Sequence, residues 1–534
     1  MFTVERQMIL RSWRAAFRRA VSFAPAAAGF AVLLSVGCAT VPQEEGVGGQ
    51  DRIQTQSGLV TGVPTDTGTV YRGLPYAASP VGQMRWRSPA EPNPWSGVRD
   101  ASEFGAPCAQ APLRGRTQIS SISREDCLYL NVWTPENSAA ERLPVMVWIH
   151  GGAFENGMGT SPTYDGAGLA AKGVIVVTIN YRLGVFGFLA HPELTAESAH
   201  GSSGNYGLED QLAALRWVQG NIAAFGGDPD NVTIFGQSAG GASVRALISS
   251  PQSIGLFNRA IIQSGASVSG LSAIPTSQAE EQGLAFAGEM SIAEMRALDA
   301  DDVIERATAA KDRGIRFAPA VDDYVISASA PADGLQVPLG TIELLIGSNS
   351  REGLAVPGGE GLDEALERAF GPNVARARRA YGLDGTPPPV DPVLGTVAQQ
   401  FATDVSFRCG SVALAGAGAR AGLPIWQYQF EHFVPGREAQ GAGHSFEVPY
   451  VFGNLSSTGF SAADYDEDDR RLSDLMMGYW TNFAKQGDPN GPGLPDWPRF
   501  TNADKEYLRL TADLPGDAQS AVALRGDICP LIVE

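Results

Sequence analysis

Short apolar runs rich in β-branched residues recur along the chain. The clearest are LPVMVWIH (143–150), VIVVTINY (174–181), NVTIF (231–235), RAIIQ (259–263), TIELLI (341–346) and PIWQYQF (424–430). Most of these runs are apolar on both faces, which is typical of central strands that helices cover on each side. The pattern therefore predicts a buried central sheet.

The segments between these runs have apolar residues at helical spacing. The stretch before NVTIF carries one apolar stripe at three- and four-residue intervals, formed by Leu208, Leu212, Leu215, Val218 and Ile222. Strands that alternate with helices predict an α/β fold with a large, mostly parallel central sheet and helices on both faces. The less regular stretches 267–340 and 353–392 are predicted to be helices and loops inserted over the cleft at the strand ends.

The first fifty residues differ from the rest. Five arginines between positions 6 and 19 precede an uncharged stretch from Ala20 to Gly37, which ends at Cys38. This pattern predicts an export signal in 1–38, and a weakly apolar membrane anchor is the alternative. LSVGC (34–38) resembles a bacterial lipobox, so Cys38 is a candidate lipid anchor. Residues 39–50 are predicted to be a flexible tether, and 51–534 a single domain.

Charge and cysteine content narrow the classes of function. The 534 residues include 39 basic and 58 acidic ones, a net charge of −19, which argues against nucleic-acid binding. The body contains four cysteines, an even number typical of an oxidising compartment. A bridge between Cys108 and Cys127 would close a small loop, whereas Cys409 and Cys529 either pair or remain buried thiols. No Cys/His cluster has metal-ligand spacing, so we expect no metal or organic cofactor.

The candidate nucleophile is Ser238, in the motif GQSAG (236–240). The motif follows the strand-like NVTIF and precedes a plausible helix over 242–249, which is the strand–turn–helix setting of a nucleophile elbow. Glycines suit positions 236 and 240, since a Cβ atom there would collide with neighbouring backbone. On the motif and setting alone, an ordinary glycine-rich turn remains the alternative.

A serine hydroxyl needs a base, and the order serine, acid, histidine leaves His432 and His444 among five histidines. His444 lies in the loop-like stretch GAGHS (441–445), whereas His432 directly follows a predicted strand. The residues alone do not decide between them. The nucleophile also needs donors for the oxyanion, and we expect the backbone N–H groups of Gly151, Gly152 and Ala239 to supply them.

Four stretches together resemble a known family. They are FGGDP (225–229) with VTIFGQSAGG (232–241), EDCLYLNV (125–132), NYGL (205–208) with Asp210 and Gln211, and Gly443-His444 with EVPYVF (447–452). They resemble the signatures of type-B carboxylesterases, the cholinesterase-like branch of the α/β-hydrolases, and most of all bacterial members such as para-nitrobenzyl esterases. The resemblance covers nearly the whole chain after the export signal and implies the α/β-hydrolase fold.

The resemblance also implies roles for individual residues. His444 matches the family's base, and Glu352 its acid, because GSNSREG (347–353) resembles the family's acid turn. Cys108 and Cys127 match a common bridge, while Cys409 and Cys529 have no assigned counterpart. Ser264 matches a serine near the triad, for which a structural hydrogen bond is expected.

The implied activity is hydrolysis of a small-molecule carboxylic ester through a Ser-His-Glu triad and an acyl-enzyme. Two alternatives stay open: an amidase or acyltransferase with the same triad, and a non-catalytic binding protein on the same fold. We expect an exported bacterial protein that is periplasmic, secreted or anchored to the membrane only through Cys38, and that is a monomer or weak homo-oligomer. Phe154 is either a pocket wall or part of the core.

Overall fold

The computed structural model describes residues 52–532 except 113–116, 137, 139–140, 267–272, 328–341, 354–355, 357–360, 386–387, 435, 458–464 and 514. The predicted export signal and tether, with Cys38, lie outside the described residues. No helix within the described ranges is both long and apolar enough to cross a membrane.

The strands are short and mostly apolar. In chain order they are β1 (Arg52–Thr55), β2 (Gly58–Thr61), β3 (Val63–Thr65), β4 (Gly68–Pro75), β5 (Val98–Asp100), β6 (Tyr129–Pro135), β7 (Leu143–Ile149), β8 (Ile175–Ile179), β9 (Gly227–Gln237), β10 (Arg259–Gln263), β11 (Ile274–Pro275), β12 (Ala320–Val321), β13 (Glu343–Asn349), β14 (Ile425–Phe430), β15 (Glu506–Leu510) and β16 (Ala518–Val522).

The α-helices fall between and after these strands. They are α1 (Thr117–Ile122), α2 (Ala167–Ala170), α3 (Gly184–Phe188), α4 (Pro192–Glu197), α5 (Tyr206–Asn221), α6 (Ala239–Ile248), α7 (Thr276–Ala287), α8 (Ile292–Arg296), α9 (Ala300–Lys311), α10 (Leu362–Phe370), α11 (Val374–Ala380), α12 (Val397–Thr403), α13 (Cys409–Arg420), α14 (Val448–Phe452) and α15 (Glu467–Gln486). A π-helical turn, Asp404–Arg408, joins α12 to α13.

Eleven of the described strands form one large sheet, in the order β16-β15-β14-β13-β10-β9-β7-β8-β6-β4-β3. The pairs from β15 to β8 are parallel, and the pairs at both edges are antiparallel. The six predicted runs correspond to the six adjacent central strands, β14, β13, β10, β9, β7 and β8. The prediction of a mostly parallel central sheet is therefore confirmed.

Both faces of the sheet are buried, and β7 shows how one strand serves two cores. Val145, Val147 and Ile149 pack with the apolar stripe of α5, while Met146 and Trp148 pack on the other face with residues of α14 and α15. Successive side chains of a strand point to opposite faces, so a run that is apolar throughout requires helices on each side. The whole predicted stripe is buried in this core, with four of its residues on α5 and the fifth, Ile222, directly after it.

Candidate active site

Ser238 lies at the sharp turn between β9 and α6. Its φ of 58° and ψ of −124° are sparsely populated for a residue with a side chain, and such conformations cost of order 1–3 kcal/mol. Its N–H donates to the Gln263 carbonyl of the neighbouring strand β10 at 2.9 Å, and its own carbonyl accepts from Ala242. These contacts hold the serine at the carboxyl end of the sheet, where the helix N-terminus begins.

The flanking glycines are required by close backbone approach. A Cβ atom on Gly240 would lie 1.9 Å from the carbonyl oxygen of Ile149, and one on Gly236 would lie 2.6 Å from Gly240. These distances are far below van der Waals contact. The prediction that side chains at both positions would collide is therefore confirmed.

Glu352 and His444 meet at the same end of the sheet. His444 Nδ1 lies 2.5 Å from Glu352 Oε2, and the Glu352 side chain is completely buried, while 31% of the His444 side chain is exposed. Both Ser238 and His444 line one cavity. The structure thus brings together all three residues that the sequence nominated for the triad.

The second oxygen of Glu352 is held by its neighbours. Glu352 Oε1 accepts the backbone N–H of Asn349 at 2.6 Å and also the hydroxyl of Ser264. These hydrogen bonds fix the carboxylate, and they leave Oε2 to face the imidazole. The structural hydrogen bond expected for Ser264 is present.

Burial and two neighbouring carboxylates act in opposite directions on the pKa of His444. Burial acts to lower the pKa of His444, but the hydrogen bond that its Nδ1–H donates to Glu352, together with the negative charges of Glu352 and Glu447, outweighs burial and raises the pKa above its ordinary value. A base whose pKa is raised is stabilised once it has taken a proton.

Sequence reasoning missed a second buried carboxylate beside the first. Glu447 accepts from the side-chain amides of Asn349 at 2.6 Å and Gln263 at 3.2 Å. Burial, followed by repulsion from Glu352, raises the pKa of Glu447 to about 7. Glu447 stands in the quoted stretch EVPYVF, but no local pattern indicates that it contacts residues almost 100 and almost 200 positions earlier.

His432 also lines the cavity, but both of its ring nitrogens are engaged elsewhere. Nε2 lies 2.8 Å from Asp469, and Nδ1 accepts the backbone N–H of Ala512 at 3.4 Å. The Tyr450 hydroxyl donates to the same Asp469 oxygen. Because neither nitrogen is directed at Ser238, His432 has the geometry of a structural histidine.

The expected oxyanion donors Gly151 and Gly152 line the same cavity as Ser238. A Cβ atom on Gly151 would lie 3.0 Å from Ser238 Cβ, so its backbone passes directly against the nucleophile. Within the part of the chain that the structure describes, the N–H groups of Gly151 and Gly152 have no backbone acceptor. Ala239 is the first residue of α6, so its N–H has no acceptor inside the helix.

Residues 151–159, which follow β7 and His150, form the oxyanion loop. Two amide side chains hold this loop to neighbouring segments. Gln110 donates to the Gly157 carbonyl at 2.9 Å and accepts the Gly157 N–H at 3.0 Å. Asn180 accepts the N–H of Gly159 at 2.8 Å and donates to the carbonyl of Cys127. The loop is thereby fixed to the segment that carries the first disulfide.

His150, which precedes this loop, has no catalytic geometry. Its ring stacks on Tyr181 at a centroid distance of 4.5 Å, and burial lowers its pKa to about 4. Phe154 is 2% exposed and packs edge-on against Phe188, so it belongs to the core. The question that the sequence left open about Phe154 is answered in favour of core packing.

Two disulfides are present. Cys108 bonds to Cys127, as the resemblance implied, and Cys409 bonds to Cys529, which settles the alternative that the sequence left open. Two disulfides favour an extracellular or otherwise exported protein. In the described residues, no group of three or more histidines, cysteines and carboxylates is arranged to hold a metal.

The cavity beside Ser238 has a volume of about 850 Å³. Its wall combines the oxyanion loop, both histidines and a group of polar and aromatic side chains, among them Asn156, Ser161, Tyr164, Phe433, Phe446 and Tyr465. This volume lies in the upper part of the range of small-molecule sites, about 300–1,000 Å³.

Comparison with known proteins agrees with this geometry. The family model described as "Carboxylesterase family" matches residues 49–367 and 391–522. The chain is 39% identical over 464 residues to the fumonisin B1 esterase of Sphingopyxis macrogoltabida, covering 84% of each protein. It is 38% identical over 481 residues to the para-nitrobenzyl esterase of Bacillus subtilis, covering 86% of this chain and 95% of that one.

Solved structures give the same result. A thermophilic PNB esterase superposes with a TM-score of 0.77 at 34% identity, covering 90% of this chain and all of the other. The carboxylesterase of Geobacillus stearothermophilus gives the same score and identity over 90% and 99% of the two chains.

The fold and these relatives define a serine carboxylic ester hydrolase with the α/β-hydrolase fold. The chain belongs to the carboxylesterase family, in its type-B branch.

Proposed function

We propose that the protein cleaves carboxylic esters by a two-step mechanism in which Ser238 is the nucleophile, His444 the base and Glu352 the acid. The observation that carries this proposal is the 2.5 Å contact between His444 Nδ1 and Glu352 Oε2, in a cavity that Ser238 also lines. A carboxylate on Nδ1 selects the tautomer whose Nε2 is free to accept a proton.

In the first step, Ser238 Oγ attacks the ester carbonyl carbon while His444 Nε2 takes the hydroxyl proton. The carbonyl oxygen becomes an oxyanion that the N–H groups of Gly151, Gly152 and Ala239 stabilise. The tetrahedral intermediate then collapses, and His444 returns its proton to the departing alcohol. The product of this step is an ester between the acyl group and Ser238.

In the second step, water replaces the alcohol. His444 takes a proton from the water as its oxygen attacks the acyl-enzyme, and the oxyanion forms again at the same three N–H groups. Collapse of this intermediate releases the carboxylic acid and restores the Ser238 hydroxyl. Glu352 keeps the imidazole oriented and stabilises the imidazolium in both steps.

The substrate is a small-molecule ester, and the cavity supports esters larger than simple acetates. About 850 Å³ accommodates a bulky acyl or alcohol group beside the serine. The names of two relatives, a para-nitrobenzyl esterase and a fumonisin B1 esterase, support the same class of large substrates. Hydrolysis rates over acyl chains from acetate to decanoate, with bulky aromatic esters for comparison, would define the preference.

The test of the mechanism compares three variants on p-nitrophenyl acetate. Ser238→Ala and His444→Ala should each lower kcat by about 10⁴-fold or more, with unchanged folding. His432→Ala is the matched control, because His432 lines the same cavity with both nitrogens engaged elsewhere. A Ser238→Ala variant that kept most of its activity would overturn the proposal, and equal losses in the two histidine variants would overturn the choice of base.

We also propose that the protein is exported and that its N-terminal signal is removed. The arginine-rich segment and the apolar run before Cys38 support removal of a signal, and the two disulfides support an oxidising destination. Mass spectrometry of the mature N-terminus tests both parts: a chain that starts at Cys38 with added lipid mass is an anchored lipoprotein, and an unmodified later start is a released enzyme. A chain that retains Met1 would exclude cleavage.

A further inference from the structure

The π-helical turn Asp404–Arg408 interrupts an otherwise continuous helical stretch beside the triad. One extra residue in a helical turn changes the direction in which the neighbouring side chains point. Such turns are rare in proteins as a whole, but many of those that occur lie at functional sites. Here the turn places two successive residues, Phe407 and Arg408, against the base and against the segment that carries the acid.

Arg408 anchors the turn from inside. Its guanidinium is fully buried, pairs with Asp404 at 2.5 Å, and donates to the carbonyl of Ser350 at 2.6 Å. Ser350 lies two residues before Glu352. Asp404 is also bonded to Arg525 and to the Tyr381 hydroxyl, so the turn is held on several sides. The position of Phe407 is therefore fixed by a buried network.

Phe407 lies flat against the catalytic histidine. Its ring centroid is 4.6 Å from that of His444, and the two planes differ by 24°. At this distance and angle the rings are stacked and offset, a favoured arrangement for aromatic pairs. One face of the imidazole is thus covered by a hydrocarbon ring.

Gln237 also contacts the imidazole. The Gln237 amide nitrogen lies 3.4 Å from His444 Nδ1 and 3.2 Å from His444 Nε2. A hydrogen bond in the ring plane to Nε2 would leave the amide about 5 Å from Nδ1. Nearly equal distances therefore place the amide above the ring.

The imidazole is therefore in contact, outside its own plane, with both a phenyl ring and an amide. In the ring plane, Nδ1 is bonded to Glu352. The in-plane lone pair of Nε2 is not directed at Gln237, so it can accept a proton.

From this geometry we infer that Phe407 is a positioning residue for His444, and that the role of the π-helical turn is to place the Phe407 ring against the imidazole. The inference rests on the proposed role of His444 as the base. A single hydrogen bond at Nδ1 fixes one point of the ring and still allows it to tilt about that point. The out-of-plane contacts with Phe407 and Gln237 restrict this tilt, and they hold Nε2 in the orientation that the proposed proton transfer from Ser238 requires. The phenyl face also stabilises the imidazolium that forms during attack.

The effect of Phe407 should be on the rate of reaction and not on substrate binding. Phe407 is not among the described residues that line the cavity, so we expect its removal to change substrate contacts little. Misplacing a catalytic group by about 1 Å costs about 100-fold in rate. Removing the ring should therefore lower kcat by about 10- to 100-fold, with KM nearly unchanged.

The experiment measures the rate and the final extent of labelling by a fluorophosphonate, together with kcat and KM on p-nitrophenyl acetate. Phe407→Leu removes the aromatic face and keeps an apolar side chain of similar size, Phe407→Met is a second such variant, and Phe407→Tyr keeps the ring. Tyr324→Leu is the matched control, since it removes a ring stacked at 3.8 Å on His200, which is not part of the triad.

We expect Phe407→Leu and Phe407→Met to reach full labelling at a rate about 10- to 100-fold slower, with Phe407→Tyr and Tyr324→Leu close to the unaltered protein. Full labelling shows that the sites are folded, so a slower rate then reports base positioning. A normal rate in Phe407→Leu, or equal slowing in Phe407→Leu and Phe407→Tyr, would overturn the inference. Failure of the unaltered protein to be labelled at Ser238 would instead overturn the proposed mechanism.

Discussion

Glu352 and Glu447 lie side by side because one residue, Asn349, donates to both. Its backbone N–H bonds to Glu352 and its side-chain amide bonds to Glu447, each at 2.6 Å. Two carboxylates this close repel each other, which helps to raise the pKa of Glu447 to about 7 after the larger effect of burial. Both carboxylates in turn raise the pKa of His444.

The first prediction concerns the charge on Glu447. Glu447→Gln keeps hydrogen-bonding groups at this position and removes a negative charge that raises the pKa of His444. The acid side of the kcat/KM profile should therefore move to lower pH. Glu209→Gln is the control, because burial also raises the pKa of Glu209 to about 7, but Glu209 lies outside the cavity lining. An unchanged profile in Glu447→Gln would show that the second carboxylate does not influence the base.

The second prediction concerns the acid itself. His444 must be neutral to act as a base, so activity should fall as pH falls through its pKa, which lies above the ordinary value of 6.5. Glu352→Gln removes the contact that raises this pKa. The remaining activity should be lower by about 10³–10⁴-fold, and its acid limb should move to lower pH. A variant with a normal rate at any pH from 5 to 9 would contradict the assignment of Glu352.

The third prediction concerns the oxyanion loop. Gln110→Ala removes both hydrogen bonds to Gly157, which leaves the loop able to shift. Complete loss of one oxyanion donor lowers kcat by about 10²–10³-fold. A loop that shifts but keeps its donors should therefore lower kcat by less, about tenfold. Affinity for a trifluoromethyl ketone, which mimics the tetrahedral intermediate, should fall in parallel with kcat.

A matched control for Gln110 is Gln219→Ala. The Gln219 side-chain amide likewise makes two hydrogen bonds to backbone, donating to the carbonyls of Pro229 and Leu256, and neither of these residues belongs to the oxyanion loop. Its variant should keep normal kcat and normal inhibitor affinity. If both variants lose activity equally, the Gln110 effect is one of general stability.

The fourth prediction concerns the second disulfide. The bridge between Cys409 and Cys529 closes a loop of 120 residues and ties the start of α13 to the end of the described chain. Replacing both cysteines with alanine should lower the free energy of unfolding by about 2–4 kcal/mol, measured by urea denaturation. A stability equal to that of the unaltered protein would show that the bridge adds nothing to the folded state.

The centre of the fold was predictable because its signals are local. Six apolar runs define six adjacent strands, since burial on both faces leaves a continuous hydrophobic stretch. The outer strands β3, β15 and β16 were not predicted, because none of them is a continuous buried run: β3 and β16 contain exposed residues, and β15 contains partly buried positions among its buried ones. The elbow at Ser238 was predictable because five consecutive residues carry its geometry.

The supporting residues of the site were not predictable from local pattern. Gln110, Phe407 and Glu447 each act through contacts with residues more than thirty positions away. Nothing in the stretch around Phe407 indicates a π-helical turn, or that its ring faces a histidine. The sequence signal was strong where chemistry imposes a fixed spacing, and weak where packing alone brings side chains together.

The most direct test of the central claim is the site of covalent modification by a fluorophosphonate, mapped by mass spectrometry of proteolytic fragments. The mechanism predicts one phosphonyl group per active chain, on the fragment that contains Ser238, and none in Ser238→Ala. Loss of esterase activity should match the fraction modified. A preparation that hydrolyses p-nitrophenyl acetate while Ser238 remains unmodified, or that carries the adduct on another residue, would contradict the account.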